Sequence, residues 1–209
     1  MMDICIKKII VGPVRTNCYV VYRKENKNAV IVDPGDDAFE IERLITVNNL
    51  KPQAILLTHG HCDHIMAVSS LRDRYGIKVY IHEEEKKILD SWYNLSQMIA
   101  GEKVSLKADV YCKDNQVINL GDMSFKLIYT PGHTIGSCCY YMEDDKVLFS
   151  GDTLFYHSHG RTDFPTGSQS SIIRSITEKL LKLPDDVTVY PGHEEETTIG
   201  SEKTIYDIY

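Results

Sequence analysis

The segment Thr58-His59-Gly60-His61-Cys62-Asp63-His64 directly follows the apolar run Ala54-Ile55-Leu56-Leu57. Three imidazoles and a carboxylate within six residues are hard to account for by packing, because each polar ring needs a partner of its own. A bound cation is a partner they can share. His59 and His61 leave the end of an expected strand as an i, i+2 pair, so both rings face one ion. Asp63 and His64 come later, where the chain turns into a helix expected over Ile65 to Tyr75, and point to a second, neighbouring ion. Mixed imidazole and carboxylate donors suit zinc, iron or manganese, whereas calcium and magnesium sites use oxygen almost throughout. The competing reading, a solvated His-rich loop, fits poorly with a position at a strand terminus.

Upstream of this segment, residues 4 to 11, 18 to 23 and 29 to 32 are rich in β-branched and aromatic residues and read as a meander of strands. Asp36 or Asp37 caps a helix whose apolar stripe is Phe39, Ile41, Leu44, Ile45 and Val47. Downstream, Lys78 to Ile81 is a short strand. Residues 83 to 100 read as one helix in which Glu83-Glu84-Glu85-Lys86-Lys87 is a solvated first turn and Ile88, Leu89, Trp92, Leu95 and Met98 follow. His82 reads as an ordinary, partly exposed histidine.

Val117 to Leu120 and Met123 to Thr130 flank a Gly121-Asp122 turn, a hairpin signal. Strands at Gly136 to Met142, Val147 to Phe149 and Val187 to Tyr190 and a helix at Ser170 to Leu183 complete the chain. The tripeptide Pro-Gly-His occurs twice after a β-rich run, ending in His133 and in His193, and a third such run ends in Ser150-Gly151-Asp152. Strand ends of a layered α/β fold are where chemistry is expected.

With 209 residues and 43% hydrophobic content, one substantial core and one domain over residues 1–209 are expected. No apolar run nears the ~20 residues that cross a bilayer, and residues 1–8 lack an h-region, so a soluble, cytoplasmic protein without membrane partners is expected. The six cysteines are irregularly spaced and read as reduced, buried small side chains. Thirty acids against 23 bases, with no basic cluster longer than a pair, argue against nucleic acid.

His59-x-His61-x-Asp63-His64, together with His133, Asp152 and His193, resembles the metal-binding pattern of the metallo-β-lactamase superfamily, from Asn17-Cys18-Tyr19 to Thr197-Thr198-Ile199-Gly200. The resemblance implies an α/β fold, a four-layer αββα sandwich of two mixed β-sheets flanked by helices. It implies two divalent transition-metal ions, zinc first, with iron or manganese as alternatives. His59, His61 and His133 would hold one ion, Asp63, His64 and His193 the other, and Asp152 would bridge both. Antibiotic-degrading secreted members lack a carboxylate at the position of Asp152, and flavodiiron proteins carry an acid at that of His61.

Within the superfamily, Ser150-Gly151-Asp152-Thr153-Leu154-Phe155, Gly160-Arg161-Thr162-Asp163-Phe164-Pro165 and Glu196-Thr197-Thr198-Ile199-Gly200 resemble the short glyoxalase II group, the hydroxyacylglutathione hydrolases. This implies metal-assisted hydrolysis of a small-molecule thioester or ester, with water brought from a pKa of ~15.7 towards ~7 and Asp63 helping to orient it. Longer glyoxalase II enzymes add a C-terminal helical domain that grips glutathione. Here 16 residues follow His193, so that domain is not expected and another thiol carrier is open. Arg161 is the candidate for pairing with a substrate carboxylate, with an Arg161–Asp163 ion pair as the competing reading. His157 and His159 read as exposed loop residues, and self-association is compatible with the pattern. The rival functions are a mononuclear iron persulfide dioxygenase, a lactone or ester hydrolase and, further off, a non-catalytic metal module.

Overall fold

In the computed structural model, which describes residues 3–206, strand β2 (Thr16–Arg23) is buried along its whole length. Its alternation divides it between two cores. Cys18, Val20 and Tyr22 face one, and Tyr19 and Val21 face the other. The first core lies under the helices α1 (Ala38–Val47) and α2 (Val68–Tyr75), through Ile41, Ile45, Val68 and Leu71. The second lies between the sheets.

β1 (Ile4–Val11), β2 and β3 (Asn28–Val32) form the expected antiparallel meander. β4 (Lys51–Leu56), β5 (Lys78–His82) and β6 (Val110–Cys112) continue that sheet in parallel. The second six-stranded sheet consists of β7 (Val117–Leu120), β8 (Met123–Tyr129), β9 (Cys138–Met142), β10 (Val147–Gly151), β11 (Thr188–Pro191) and β12 (Thr197–Thr198). In β9, Cys138 and Tyr140 face the inter-sheet core. Cys139 and Tyr141 face the third core, beneath α5 (Gln169–Glu178) and α6 (Ile199–Tyr206). Helix, sheet, sheet and helix make the four layers expected.

Gly121 turns the β7–β8 hairpin at φ 63°, with Leu120 opposite Met123, as the Gly-Asp signal predicts. β8, β10 and β11 run in one direction, which brings their C-terminal ends to one edge of the sandwich. There the sheets are stitched together. The Asn17 amide donates to Gly192 O at 2.7 Å, and the Tyr19 hydroxyl donates to Pro191 O at 2.7 Å. At the opposite end, Arg23 forks onto Asp145 at 2.6 and 2.7 Å.

Several expectations fail locally. Phe39 and Val47 are 73% and 72% exposed, because positions two residues from Ile41 and Ile45 sit about 200° around the helix from them. The helix expected over 83–100 is broken into a turn at Glu83–Glu85, α3 (Lys86–Leu89), a turn at Trp92–Asn94 and α4 (Ser96–Ile99). Polar side chains break it. Ser91 Oγ accepts from the Tyr93 amide, Asn94 Oδ1 accepts from the Ser96 amide, and Leu95 sits at φ 62°. His82 is buried against Tyr129, with ring planes 8° apart, and Glu85 is fully buried rather than solvated. The expected helix over Ile65 to Tyr75 begins as a tight turn at Cys62–His64 before α2, and α5 ends at Glu178, five residues short of Leu183. β6, β12 and α6 were not anticipated. Residues 1, 2 and 207–209 of the expected domain lie outside the described residues.

Candidate metal centre

The ligand candidates leave the ends of four strands: β4 leads to His59 and His61, β8 to His133, β10 to Asp152 and β11 to His193. Asp63 and His64 ride on the tight turn that follows His61. The structure brings all seven together. The donor atoms of His59, His61 and His133 lie within 4.8 Å of one another, as do those of Asp63, His64 and His193, and those of His59, His64 and Asp152. His133 Nε2 and His61 Nδ1 are 2.9 Å apart, and the rings of His59, His61 and His133 meet pairwise edge to face at 87°. Asp152 stands between the two groups: Oδ1 is 3.4 Å from His64 Nε2, and Oδ2 is 3.4 Å from His133 Nε2 and 3.6 Å from His193 Nε2.

A cation fits this arrangement. The buried atoms His59 Nε2, His61 Nε2, His64 Nε2 and Asp152 Oδ1 have no hydrogen-bond partner among the described residues. Groups so deeply buried are almost always satisfied in a folded protein. Surrounding groups fix the rings for the purpose. Thr58 Oγ1 donates to Asp33 Oδ2 at 2.6 Å, so its oxygen is left to accept from His59 Nδ1, 3.1 Å away. Asp33 Oδ2 is also 3.1 Å from His64 Nδ1, and Arg161 O accepts from His133 Nδ1 at 2.7 Å. These partners hold a proton on Nδ1 of each of the three rings and leave Nε2 as the ring atom available to a cation. Asp33, read in the sequence only as a strand-ending turn, thus orients a ligand. Its signal was a carboxylate at the end of an apolar strand next to the one bearing His59.

The backbone allows the close approach. A Cβ on Gly192 would lie 2.2 Å from Asp152 Oδ1 and 2.8 Å from His64 Cε1. Gly132 also admits no side chain, but for another reason: at φ 143°, its Cβ would strike the Ile172 backbone of α5 rather than the centre.

Glu85, which the sequence placed in solvent, braces the two ligand loops. Oε2 accepts from the Gly60 amide at 2.7 Å, between His59 and His61. Oε1 accepts from the Gly136 amide at 2.8 Å and from the Thr134 hydroxyl, next to His133. Burial pushes this carboxyl up to about 7, against the pull of those three donors.

The remaining candidates stand apart. Arg161 forks onto Asp163 at 2.7 Å, lies over the Phe164 ring with Cζ 3.8 Å from its centroid, and borders the cleft above the centre. His157 faces Ser201, and His159 faces Gly160 O and Gln169. No cysteine joins the ligand groups found among the described residues, and burial pushes the Cys62 thiol up to about 12. The cleft measures about 430 Å³, with Leu95, Met98, Phe155 and Phe164 in its walls.

Burial pushes the His59 and His61 rings down. Burial also opposes charge on His64, yet Asp63, Asp152 and Asp33 together carry it up to about 10. Without a cation His64 therefore holds a proton at neutral pH. Metal uptake between pH 7 and 8 is expected to release at least one proton, so that apparent affinity rises with pH by about tenfold per unit. Calorimetric titration in buffers of different ionisation heat checks this, and uptake without proton release contradicts it.

The sequence profile described as the metallo-β-lactamase superfamily matches residues 11–193. The chain belongs to that superfamily. "Hydroxyacylglutathione hydrolase GloC" of Haemophilus influenzae (strain ATCC 51907 / DSM 11121 / KW20 / Rd) is 35% identical over 201 residues, covering 95% of this chain and 94% of that one. Among solved structures, "BLEG-1 B3 metallo-beta-lactamase" superposes with a TM-score of 0.91 at 41% identity, over 96% of this chain and 97% of the other. TTHA1623 "in a di-iron-bound form" gives 0.83 at 31% identity, over 94% and 96%. The superfamily fold binds divalent metals, and the His/Asp cluster is the place for them here. Among the described residues, no helix is long and apolar enough to cross a membrane.

Proposed function

We propose that the chain is a metal-dependent thioester hydrolase of the hydroxyacylglutathione hydrolase type, acting on a small molecule in the cytoplasm. It would hold two divalent transition-metal ions, zinc first, on the seven residues His59, His61, His133, Asp63, His64, His193 and Asp152. The observation that carries this reading is the placing of the Asp152 carboxylate, which lies within 3.6 Å of His64 and His193 from one ligand group and of His133 from the other. The likeness to GloC supports the thioester.

When bound, such ions acidify water and polarise a carbonyl oxygen. The chain's own residues do the rest. Asp63 is held well below the usual carboxylate range; burial works against this, but the imidazoles of His64, His193 and His61 outweigh it. Its Oδ2, 3.0 Å from the Thr16 hydroxyl that donates to it, stays ionised and orients the attacking water. Water adds to the acyl carbon, the C–S bond breaks, and a carboxylate and a thiol leave. Leu95, Met98, Phe155 and Phe164 give the cleft apolar walls, and Arg161, at its border, would exchange Asp163 for a substrate carboxylate.

The test is metal analysis of the purified protein together with a turnover panel: S-lactoylglutathione, lactoyl thioesters of other thiols, a lactone and a β-lactam. The β-lactam is included because of the 41% identity with BLEG-1. Two metal equivalents and thioester turnover above the others are expected. One iron per chain with oxygen uptake on a persulfide, or turnover of the β-lactam alone, overturns the reading.

A further inference from the structure

A second cavity of about 190 Å³ opens beside the cleft described above, and Val14, Asp63 and Ile99 line both. The β1–β2 turn roofs it through Gly12, Pro13 and Val14. Val11 and Met66 line its sides, and Ala100, at the end of α4, closes it. Val14, where the two spaces meet, and Met98, in the wall of the larger one, are 43% and 64% exposed although apolar. No Lys, Arg or His lines the smaller space, and its charged groups are the Asp36 carboxylate and the ligand Asp63.

A thioester has two arms diverging from its carbonyl; of the ligand residues Asp63 lines both spaces, and His61, His133, Asp152 and His193 line the larger one beside it. The larger space contains Arg161 and suits the thiol carrier. The smaller, with apolar walls and only anionic charge, suits a chain that carries no charge of its own. At ~30 Å³ per water it has room for about six waters, hence for a chain of about six heavy atoms. We propose that this cavity is an acyl subsite and that the substrates are thioesters of uncharged acyl chains longer than lactoyl, of about four to eight carbons. This rests on the hydrolase reading and adds to it which end of the substrate is selected, and by what.

The experiment separates the two ideas by binding as well as turnover. Straight-chain acyl hydroxamates, from acetyl to hexanoyl, are titrated into the zinc-loaded protein, and thioesters of the same acyl groups on one thiol are assayed in parallel. Affinity and kcat/KM are expected to rise about fourfold per methylene up to hexanoyl, the gain for burying one CH₂. A hexanoyl analogue ending in a carboxylate is expected to bind more weakly than hexanoyl itself, because Asp36 faces it without a counter-charge.

Ala100→Phe, or Met66→Phe if the first does not fold, fills the space and should flatten the chain-length dependence. Val117→Phe, at an exposed position of β7, should leave it intact. A flat series in the unaltered protein overturns the subsite, as does an Ala100→Phe series as steep as the original or a carboxylate analogue that binds as tightly as hexanoyl. If hydroxamate affinity climbs as expected but no thioester is cleaved, the hydrolase reading fails and the subsite stands.

Discussion

Replacing Asp152 with alanine is expected to lower kcat/KM by at least about 10³-fold, which corresponds to about 4 kcal/mol of transition-state stabilisation. The size of the effect follows from the carboxylate's position. Its Oδ1 faces His64 and its Oδ2 faces both His133 and His193, so its removal takes away a donor that both ligand groups share. The substitution removes a buried carboxylate and leaves the His64 ring with fewer counter-charges, those of Asp63 and Asp33. Circular dichroism of the variant should match the parent, because Asp152 leaves the end of β10 without pairing in the sheet. Elemental analysis should find less metal. A variant that keeps two equivalents and full turnover would count against a shared site.

Glu85→Ala carries the second large effect, and it falls on stability as well as on metal. The substitution leaves the buried amides of Gly60 and Gly136 without an acceptor, at about 1–3 kcal/mol each, so a loss of about 3–5 kcal/mol is expected once the cavity is included. Urea denaturation of the metal-free protein measures it. Because the two amides belong to the loops of His59/His61 and of His133, zinc affinity by chelator competition should fall about 10–100-fold as well. Glu85→Gln retains one acceptor oxygen but turns an NH₂ group towards one of the amides, and should fall between the two. Unchanged zinc affinity in both variants would make Glu85 a fold residue only.

His59, His61, Asp63 and His64 could be read in the sequence because they are local, following a strand end at once; Pro-Gly ahead of His133 and His193 and Gly ahead of Asp152 marked the others, but joining all seven came from the resemblance. The meander and the β7–β8 hairpin were legible for the same reason, since alternation and a Gly-Asp turn act over a few residues. The supports of the centre were not. Glu85 lies within a run of charges that looks solvated, and only the arrival of Gly60 and Gly136 from distant segments gives it partners. Asp33 meets His64 across 31 positions of sequence. The helix expected over 83–100 failed because its apolar spacing concealed the competition offered by Ser91 and Asn94, whose side chains cap short turns instead. His82 depended on Tyr129, from the other sheet, for its burial. The αββα architecture came from the resemblance, since periodicity alone does not say which two faces pair.

The ligands sit at strand ends, whereas much of the wall around the substrate space belongs to the broken stretch 91–100 and the loop 155–168, neither of which contributes a ligand. Side chains in those two stretches can therefore change while the seven ligand side chains stay in place, because what the loop gives the centre, the Arg161 carbonyl that holds His133, is backbone and does not depend on residue type.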